Sequence, residues 1–215
     1  MDVFVLSEQN SVANHFLAEL RDVNQQGDRL RFRTNMIRLG EIMAYEISKK
    51  MEYQSVNVQT PINTTQMHLL KEKPILLTVL RAGLPYFQGF LNYFDSSDAG
   101  FIGAYRKEGK EEISIELDYM AMPSLENKQV ILIDPMLATG FSFIRSINEL
   151  SKYGHPSHVF IAALVAAPEG IQRITDTLKV PFSLFTVAVD EKLNAASYIV
   201  PGLGDAGDLS FGEKL

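Results

Sequence analysis

Three short apolar runs, each followed by a helical pattern or a sharp turn, constrain the fold more than any other feature of this sequence. The runs cover residues 75–80, 130–133 and 159–166. Their length and continuous apolar character are typical of strands that are covered on both faces. Helical patterns begin at Phe141 and near Pro168, and a further strand is predicted from Phe182 to about Val189. The alternation predicts an α/β fold with a mostly parallel central sheet and helices on both faces.

The remaining segments carry weaker patterns. Residues 1 to about 60 are predicted to be mostly helical, with a polar joint at 25–28 and a helix that begins at about Thr34, its predicted N-cap. Residues 113–118 alternate apolar and polar side chains, as expected of an exposed strand on a projecting arm of about residues 100–122. Because no repeat or long linker divides the chain, a single domain over residues 1–215 is predicted.

Charge and composition exclude several classes of function. The net charge of -6 and the pI near 5.3 argue against a nucleic-acid partner, because affinity for a polyanion depends on clustered cations. The absence of cysteine excludes disulfides and thiolate chemistry. The N-terminus lacks the pattern of a signal peptide, and no apolar stretch approaches the roughly 20 residues that span a bilayer. The sequence therefore predicts a cytoplasmic protein without a membrane partner.

A loop of small residues follows the second apolar run, at the edge of the sheet where ligands of α/β folds bind. Small residues let the backbone approach an anion, and the next helix offers unpaired N–H groups with its positive dipole end. Thr139 and Ser142 add hydroxyl donors. The spacing matches neither a P-loop nor a dinucleotide motif. The alternative is a tight turn in which Thr139 or Ser142 caps the helix. We call residues 134–142 the phosphate loop.

Two arginines are further candidates for anion binding. Arg81 follows the first apolar run within the segment 80–83, which we call the arginine turn. Arg106 precedes an acidic stretch. The planar, permanently charged guanidinium can bind phosphate oxygens through two hydrogen bonds. The alternatives are an ion pair or helix-end charge for Arg81 and a solvated hairpin for Arg106.

The segment 198–208 contains three glycines and one proline among apolar residues, near the end of the chain. A disordered tail would not need apolar residues here. A rigid loop that turns its backbone toward a ligand needs both the apolar residues and the glycines and proline. Main-chain N–H and C=O groups can match a ring that alternates donors and acceptors. The alternative is a glycine-rich structural cap.

The phosphate loop and the segment 198–208 resemble the PRPP-binding loop and the uracil-binding motif of uracil phosphoribosyltransferases. The resemblance extends over nearly the full length of the chain, and its motifs occur in the same order as in the family. It implies the phosphoribosyltransferase fold, with a C-terminal base-binding hood at about residues 190–215. The implied activity is the conversion of uracil and PRPP (5-phospho-α-D-ribose 1-diphosphate) to UMP and diphosphate in pyrimidine salvage. It also implies Mg²⁺ as cofactor, a homodimer or higher homo-oligomer, and GTP as an activator in some members.

The resemblance also implies roles for individual residues. PRPP contacts fall on Arg81, Arg106, Asp134, Pro135, Met136, Leu137, Ala138, Thr139, Gly140, Phe141, Ser142 and Asp205. Uracil contacts fall on Ile199, Gly204, Asp205 and Ala206. Catalytic roles fall on Arg81, Arg106 and Asp205, and Asp205 also serves Mg²⁺ indirectly, through PRPP and water.

Two positions depart from the family pattern. Phe141 stands where a second small residue, commonly glycine, is usual, and Leu209 stands where arginine or lysine is usual. These departures keep open the hypothesis of a regulator that binds nucleotide or RNA without catalysis, although the acidic charge disfavours RNA. Transfer to a purine or to orotate is a further alternative. Enzymes of that kind usually carry two adjacent acidic residues where this chain has Asp134-Pro135.

Overall fold

The computed structural model describes residues 3–107 and 114–213, and it describes side chains for 3–103 and 119–213. The strands are β1 (Val3–Val5), β2 (Tyr53–Gln59), β3 (Thr64–Leu70), β4 (Ile75–Leu80), β5 (Ala99–Lys107), β6 (Ser114–Ala121), β7 (Gln129–Ile133), β8 (Met136–Leu137), β9 (His158–Ala166), β10 (Phe182–Val189), β11 (Lys192–Leu193) and β12 (Ile199–Val200). The helices are α1 (Ala13–Arg21), α2 (Arg29–Ser48), α3 (Gly83–Tyr93), α4 (Phe141–Leu150), α5 (Pro168–Thr177) and α6 (Ala206–Phe211).

The central sheet has the strand order β1-β10-β9-β7-β4-β5-β6, and β8 adds a short pairing to β9. All pairs are parallel except β5 with β6. The predicted α/β fold with a mostly parallel sheet is confirmed. Two small antiparallel hairpins lie off this sheet, β2 with β3 and β11 with β12.

Alternate residues of the central strands enter two separate cores. In β7, Ile131 and Ile133 face the core built with α1, α2 and α3, whereas Val130 and Leu132 face the core built with α4 and α5. This division follows from the two-residue period of a strand. It explains why the central strands are continuous apolar runs, since both of their faces are covered.

Helices α2 and α3 cross at backbone contact. A Cβ atom on Gly40 would lie 2.3 Å from the carbonyl oxygen of Tyr86, and one on Gly89 would lie 2.2 Å from that of Ile37. Only glycine fits at these two positions, so α2 and α3 can pack this closely within the first core.

Helices α1 and α2, on either side of the joint at 25–28, agree with the prediction that the N-terminal region is mostly helical, but the predicted start of the second helix is wrong and two strands were not predicted. Helix α2 begins at Arg29, because the Asp28 side chain accepts a hydrogen bond from the N–H of Arg31 at 3.0 Å and caps the helix. Thr34 lies inside the helix, and its hydroxyl donates to the carbonyl oxygen of Leu30. β1 pairs with β10 at one edge of the sheet, and β2 begins before residue 60.

The predicted exposed strand at 113–118 corresponds to β6, whose described part begins at Ser114. Ile113 lies outside the described residues. β5 pairs with β4 only as far as Gly103, and then continues alongside β6 to Lys107. The two strands therefore extend past the carboxyl end of β4. Among the described residues, no helix combines the length and apolar composition that a membrane crossing requires.

Candidate active site

The carboxyl ends of the parallel strands bring the candidate residues to one edge of the sheet. β4 ends at the arginine turn, β7 at the phosphate loop, and β10 at the hood, whose described residues are 190–213. The hydroxyl of Thr78 donates to the carbonyl oxygen of Ile133 at 3.1 Å, so the ends of β4 and β7 are tied together. A Cβ on Gly83 would lie 3.2 Å from the same carbonyl oxygen. The arginine turn and the phosphate loop are therefore neighbours.

The phosphate loop is held mainly through its backbone. The carbonyl oxygen of Pro135 accepts hydrogen bonds from the N–H groups of Leu164 and Val165, each at 3.0 Å. The Asp134 carboxylate accepts the N–H of Met136 at 3.1 Å, which closes the first turn of the loop. Asp134 is buried. The start of the loop is therefore rigid before any ligand binds.

The N-terminus of α4 is not capped by a side chain. Its N-cap is Gly140, whose φ of 82° lies in the left-handed region that favours glycine. The alternative in which Thr139 or Ser142 caps the helix is therefore wrong. In the described part of the chain, no cap bond occupies their hydroxyls, and the first N–H groups of α4 remain available to an anion.

Arg81 contacts the hood. Its Nη2 lies 3.2 Å from Oδ1 of Asp208 and 3.3 Å from the carbonyl oxygen of Gly212. A Cβ on Gly207 would lie 3.7 Å from the Cβ of Ala82, so the two backbones also pass close together. The ion-pair alternative for Arg81 thus describes the contact seen here, and this pair joins the arginine turn to the segment predicted to bind a base.

Arg106 lies on β5, opposite Ile115 of β6, three residues beyond the last pairing of β5 with β4. Its side chain lies outside those that the structure describes. The backbone position places the residue on the two-stranded extension beyond the carboxyl end of β4.

The hood is a compact loop rather than a tail. Ile199, Leu203 and Ala206 are buried in the first core, whereas Gly204 and Asp205 are exposed. Oδ1 of Asp205 accepts the N–H groups of residues 207 and 208 at 2.8 and 3.0 Å and so caps α6. Of the predicted uracil contacts, two are therefore exposed and two are fixed by the core.

A partly buried ion pair joins the hood to the end of α1. Arg21 donates to both carboxylate oxygens of Asp190, at 2.6 and 2.9 Å, and to the carbonyl oxygen of Gly202 at 2.9 Å. The N–H of Gly202 donates to the same carboxylate at 2.8 Å. We call Arg21, Asp190 and Gly202 the hood clasp. It fixes both main-chain polar groups of Gly202, which lies within the segment predicted to bind a base.

Further contacts join the hood to helices. Arg33 donates to the carbonyl oxygen of Ser210 at 2.7 Å. Glu169, at the start of α5, accepts the N–H of Leu193 at 2.9 Å, and this hydrogen bond lowers the pKa of the Glu169 carboxyl. A cavity of about 340 Å³ separates the hood from the joint between α1 and α2. Its lining consists of Gln26, Gly27, Arg29, Gly204, Asp205, Asp208, Leu209 and Glu213.

Comparisons with known proteins match this architecture over its whole length. A family model described as uracil phosphoribosyltransferase matches residues 6–213. The chain belongs to the uracil phosphoribosyltransferase family. A curated relative of that name from Porphyromonas gingivalis is 44% identical over 216 residues, which cover 100% of both chains. Another from Thermococcus gammatolerans is 38% identical over 211 residues, covering 97% of this chain and 92% of the relative.

A solved structure shows the same fold. The AQ2163 protein from Aquifex aeolicus superposes with a TM-score of 0.86 at 31% identity, and the match covers 98% of each chain. Membership of the uracil phosphoribosyltransferase family confirms the resemblance, the fold class and the class of enzyme predicted from the sequence.

The structure accounts for the two departures from the family pattern. Leu209 packs against the first core and beside Gly204, where an added Cβ would lie 3.6 Å from a Leu209 methyl carbon. It therefore fills space at the hood instead of forming an ion pair. The Phe141 ring is 45% exposed and lies beneath the guanidinium of Arg173, with Cζ 4.2 Å from the ring centroid.

Sequence patterns assigned no role to four residues that hold the hood and the phosphate loop in place: Arg21, Arg173, Asp190 and Asp208. Asp190 could have been found, because it directly follows a strand at the ligand edge. Arg21 is separated from it by 169 residues. Nothing in a single sequence pairs two such distant side chains.

The hood clasp leads to a prediction about stability and uracil binding. Asp190→Asn should lower the free energy of unfolding by about 2 kcal/mol, because a buried charged hydrogen-bond partner of Arg21 is lost. The Michaelis constant for uracil should rise more than that for PRPP, since the loosened backbone at Gly202 lies in the segment predicted to bind the base. Chemical denaturation and steady-state kinetics measure the two effects. Glu52→Gln, which removes the exposed pair with Lys71, is the control and should change neither. Equal changes in both Michaelis constants would contradict the specific role.

Proposed function

We propose that the carboxyl edge of the sheet is the active site at which this member of the uracil phosphoribosyltransferase family joins uracil to PRPP. The chain converts these substrates to UMP and diphosphate as a pentosyltransferase. The proposal for the site is supported above all by the pair of Arg81 and Asp208, which brings the arginine turn and the hood together beside the phosphate loop. In this proposal the phosphate loop, the arginine turn and the hood each bind a different part of the two substrates.

The phosphate loop is proposed to bind the 5-phosphate and the ribose of PRPP. The uncapped N–H groups of α4 and the hydroxyls of Thr139 and Ser142 suit the phosphate, and Asp134 suits the ribose hydroxyls. Arg81 and Arg106 are proposed to bind the diphosphate. They would stabilise the negative charge that develops on it as its bond to the anomeric carbon of the ribose breaks. A uracil nitrogen attacks that carbon and gives up its proton to solvent as the carbon–oxygen bond to diphosphate breaks, through a transition state with oxocarbenium character.

Uracil is proposed to bind to the backbone of the hood at Ile199, Gly204, Asp205 and Ala206. Main-chain groups that are held by the hood clasp and by buried Ile199 and Ala206 cannot easily reorganise. A cytosine would present a donor where uracil presents an acceptor, and each buried group left unpaired costs about 1–3 kcal/mol. Rigidity thus supports selectivity for the base without a charged side chain.

The donor set of the site fits Mg²⁺ that is bound mainly by the substrate. In residues 3–103 and 119–213, no three His, Cys, Asp or Glu side chains gather as a metal cage. Both hydrogen bonds to the Asp205 carboxylate reach Oδ1, so Oδ2 is suited to a water molecule of the metal shell. When bound, Mg²⁺ would neutralise charge on the diphosphate. Asp205 would orient it through water.

One assay tests the function and its alternatives together. Purified protein is mixed with PRPP and Mg²⁺ and with uracil, orotate or hypoxanthine in turn, and nucleotide formation is followed. The expected result is that UMP forms with uracil and that no nucleotide forms with orotate or hypoxanthine. Nucleotide formation from orotate or hypoxanthine at a comparable rate would contradict the base assignment, and no product at all would favour the regulatory alternative. A parallel series with GTP tests the activation that the family implies for some members.

We further propose that the β2–β3 hairpin joins two copies of this chain. Its paired residues divide between two faces: Val56, Val58, Met67 and Leu69 lie on one, and polar residues lie on most of the other. Met67 and Leu69 are 48% and 46% exposed. A two-stranded hairpin is only marginally stable alone in water, and an exposed apolar stripe is typical of an interaction surface.

The charge of the hairpin favours a second copy over other partners. Residues 53–70 contain no Asp, Glu, Lys or Arg, although the chain as a whole has a net charge of -6. Two copies of an acidic protein repel each other except where their surfaces are neutral. A two-fold interface places equivalent surfaces together, and an uncharged apolar stripe meets that condition without facing like charges.

The dimer proposal predicts the effect of charges on the two faces of the hairpin. The native chain should behave in solution as a particle of about twice 24.1 kDa or a higher multiple. Met67→Lys should shift the mass toward 24.1 kDa, because a charge on the apolar face opposes its burial. Light scattering coupled to size-exclusion chromatography measures the mass. Gln66→Lys, at the neighbouring position on the polar face, is the control. A native monomer, or equal effects of both variants, would contradict the proposal.

A further inference from the structure

Helix α5 supports the phosphate loop through close backbone contact. A Cβ on Gly170 would lie 2.2 Å from the carbonyl oxygen of Ala138 and 3.0 Å from that of Leu137. The N–H of Ala167 donates to the same Leu137 oxygen at 2.9 Å. The first turn of α5 therefore helps to fix the position of the phosphate loop.

Arg173 lies three residues after Gly170, on the same face of α5. Its Nη1 donates to the carbonyl oxygen of Thr139, and its guanidinium lies over the Phe141 ring with Cζ 4.2 Å from the centroid. The residues on both sides of Gly140 are thus held by one side chain from another element.

The hydrogen bond to Thr139 determines how the next peptide unit is oriented. In a trans peptide, the C=O and the N–H point in opposite directions. An arginine that holds the carbonyl of Thr139 toward α5 therefore turns the N–H of Gly140 away from α5. Gly140 adopts a φ of 82° and has no Cβ, so this peptide unit could otherwise rotate at little energetic cost.

We propose that Arg173 is a positioning residue for PRPP, which holds the Thr139–Gly140 peptide with its N–H directed at the 5-phosphate. The inference rests on the proposed role of the phosphate loop. Phe141 contributes the surface on which the guanidinium stacks, and a cation over an aromatic face is stabilised by the ring quadrupole. The bulky residue at this position thus has a function in this chain, since it helps to hold the arginine in place.

The kinetic test replaces Arg173 by methionine, which keeps the aliphatic length and removes the donors. The Michaelis constant for PRPP should rise about tenfold, the effect of losing an oriented phosphate donor, while that for uracil stays within about twofold. Arg173→Lys should recover part of the loss, because it can still donate to Thr139. Gln172→Met, at an exposed adjacent position whose side chain donates to Asp176 on its own helix, should have no effect.

A double-mutant cycle separates positioning from general stabilisation. In a Phe141→Leu background the further effect of Arg173→Met on PRPP binding should be smaller, because the stacking surface is already absent. A purely structural arginine would lower the melting temperature and change both Michaelis constants alike, which would overturn the inference. Should the methionine variant not fold, the lysine variant serves for the same comparison.

Variants of the loop itself distinguish the inference from the proposed function. Ser142→Ala and Thr139→Val should each raise the Michaelis constant for PRPP. If they do so and Arg173→Met does not, the role of Arg173 is refuted and the phosphate loop stands. If Ser142→Ala and Thr139→Val also leave PRPP binding unchanged, the phosphate loop itself is misassigned.

Discussion

Replacing Asp205 by asparagine is expected to lower kcat about a hundredfold while the free energy of unfolding changes by less than about 0.5 kcal/mol. The two expectations have separate causes. Asparagine caps helices as well as aspartate does, so the bonds from the N–H groups of residues 207 and 208 can persist. The negative charge that would orient the Mg²⁺–diphosphate group through water is lost.

Asp205→Ala separates the two functions in a different way. It removes the cap as well as the charge, so a loss of about 1 kcal/mol in stability should accompany the fall in turnover. Turnover should still fall far more than stability, because the capped helix α6 is short and partly fixed by buried Ala206.

The matched control for this prediction is Asp28→Asn, which makes the same chemical change at the N-cap of α2. Steady-state kinetics and thermal or chemical denaturation are measured on all three variants. Unchanged kcat in Asp205→Asn would show that the carboxylate serves only as a helix cap.

The strands of the core were predictable because burial on both faces requires continuous apolar runs in the sequence. Three apolar runs and the strand at 182–189 correspond to β4, β7, β9 and β10 with boundaries that differ by one residue at most. Because parallel strands end at one edge, the phosphate loop and the arginine turn could also be placed together. The position of these segments followed from topology and did not require any knowledge of side-chain contacts.

Strands β1, β2 and β3 could not be predicted because few of their residues are buried. β2 and β3 are exposed over most of their length, so no continuous apolar run marks them. β1 has only three residues, and its pairing depends on a strand some 180 positions away. The hood clasp and the contact of Arg81 with Asp208 likewise join distant parts of the chain. Such pairings are decided by the tertiary fold and leave no local pattern.

Arg81→Met is expected to lower kcat/KM about a thousandfold, the upper range for loss of a group that stabilises charge in the transition state. In this structure Arg81 is partly exposed and paired with Asp208 at 3.2 Å. An exposed ion pair contributes little free energy, so the guanidinium can exchange this carboxylate for diphosphate at small cost. The pair would hold the side chain close to its catalytic position before PRPP binds.

Substitutions of Arg81 and of Asp208 should differ in their effects on catalysis. Asp208→Asn should reduce kcat/KM by only about tenfold, because it removes an orienting contact and leaves the cation in the site. Arg81→Lys should recover only part of the activity, since a lysine cannot form two parallel hydrogen bonds with one phosphate group. The reverse reaction provides a direct measurement, because the Michaelis constant for diphosphate should rise strongly in Arg81→Met while that for UMP rises less. If Arg81→Met bound diphosphate normally and Asp208→Asn had the larger effect, the pair would serve to hold the hood in place, and another cation would have to bind the leaving group.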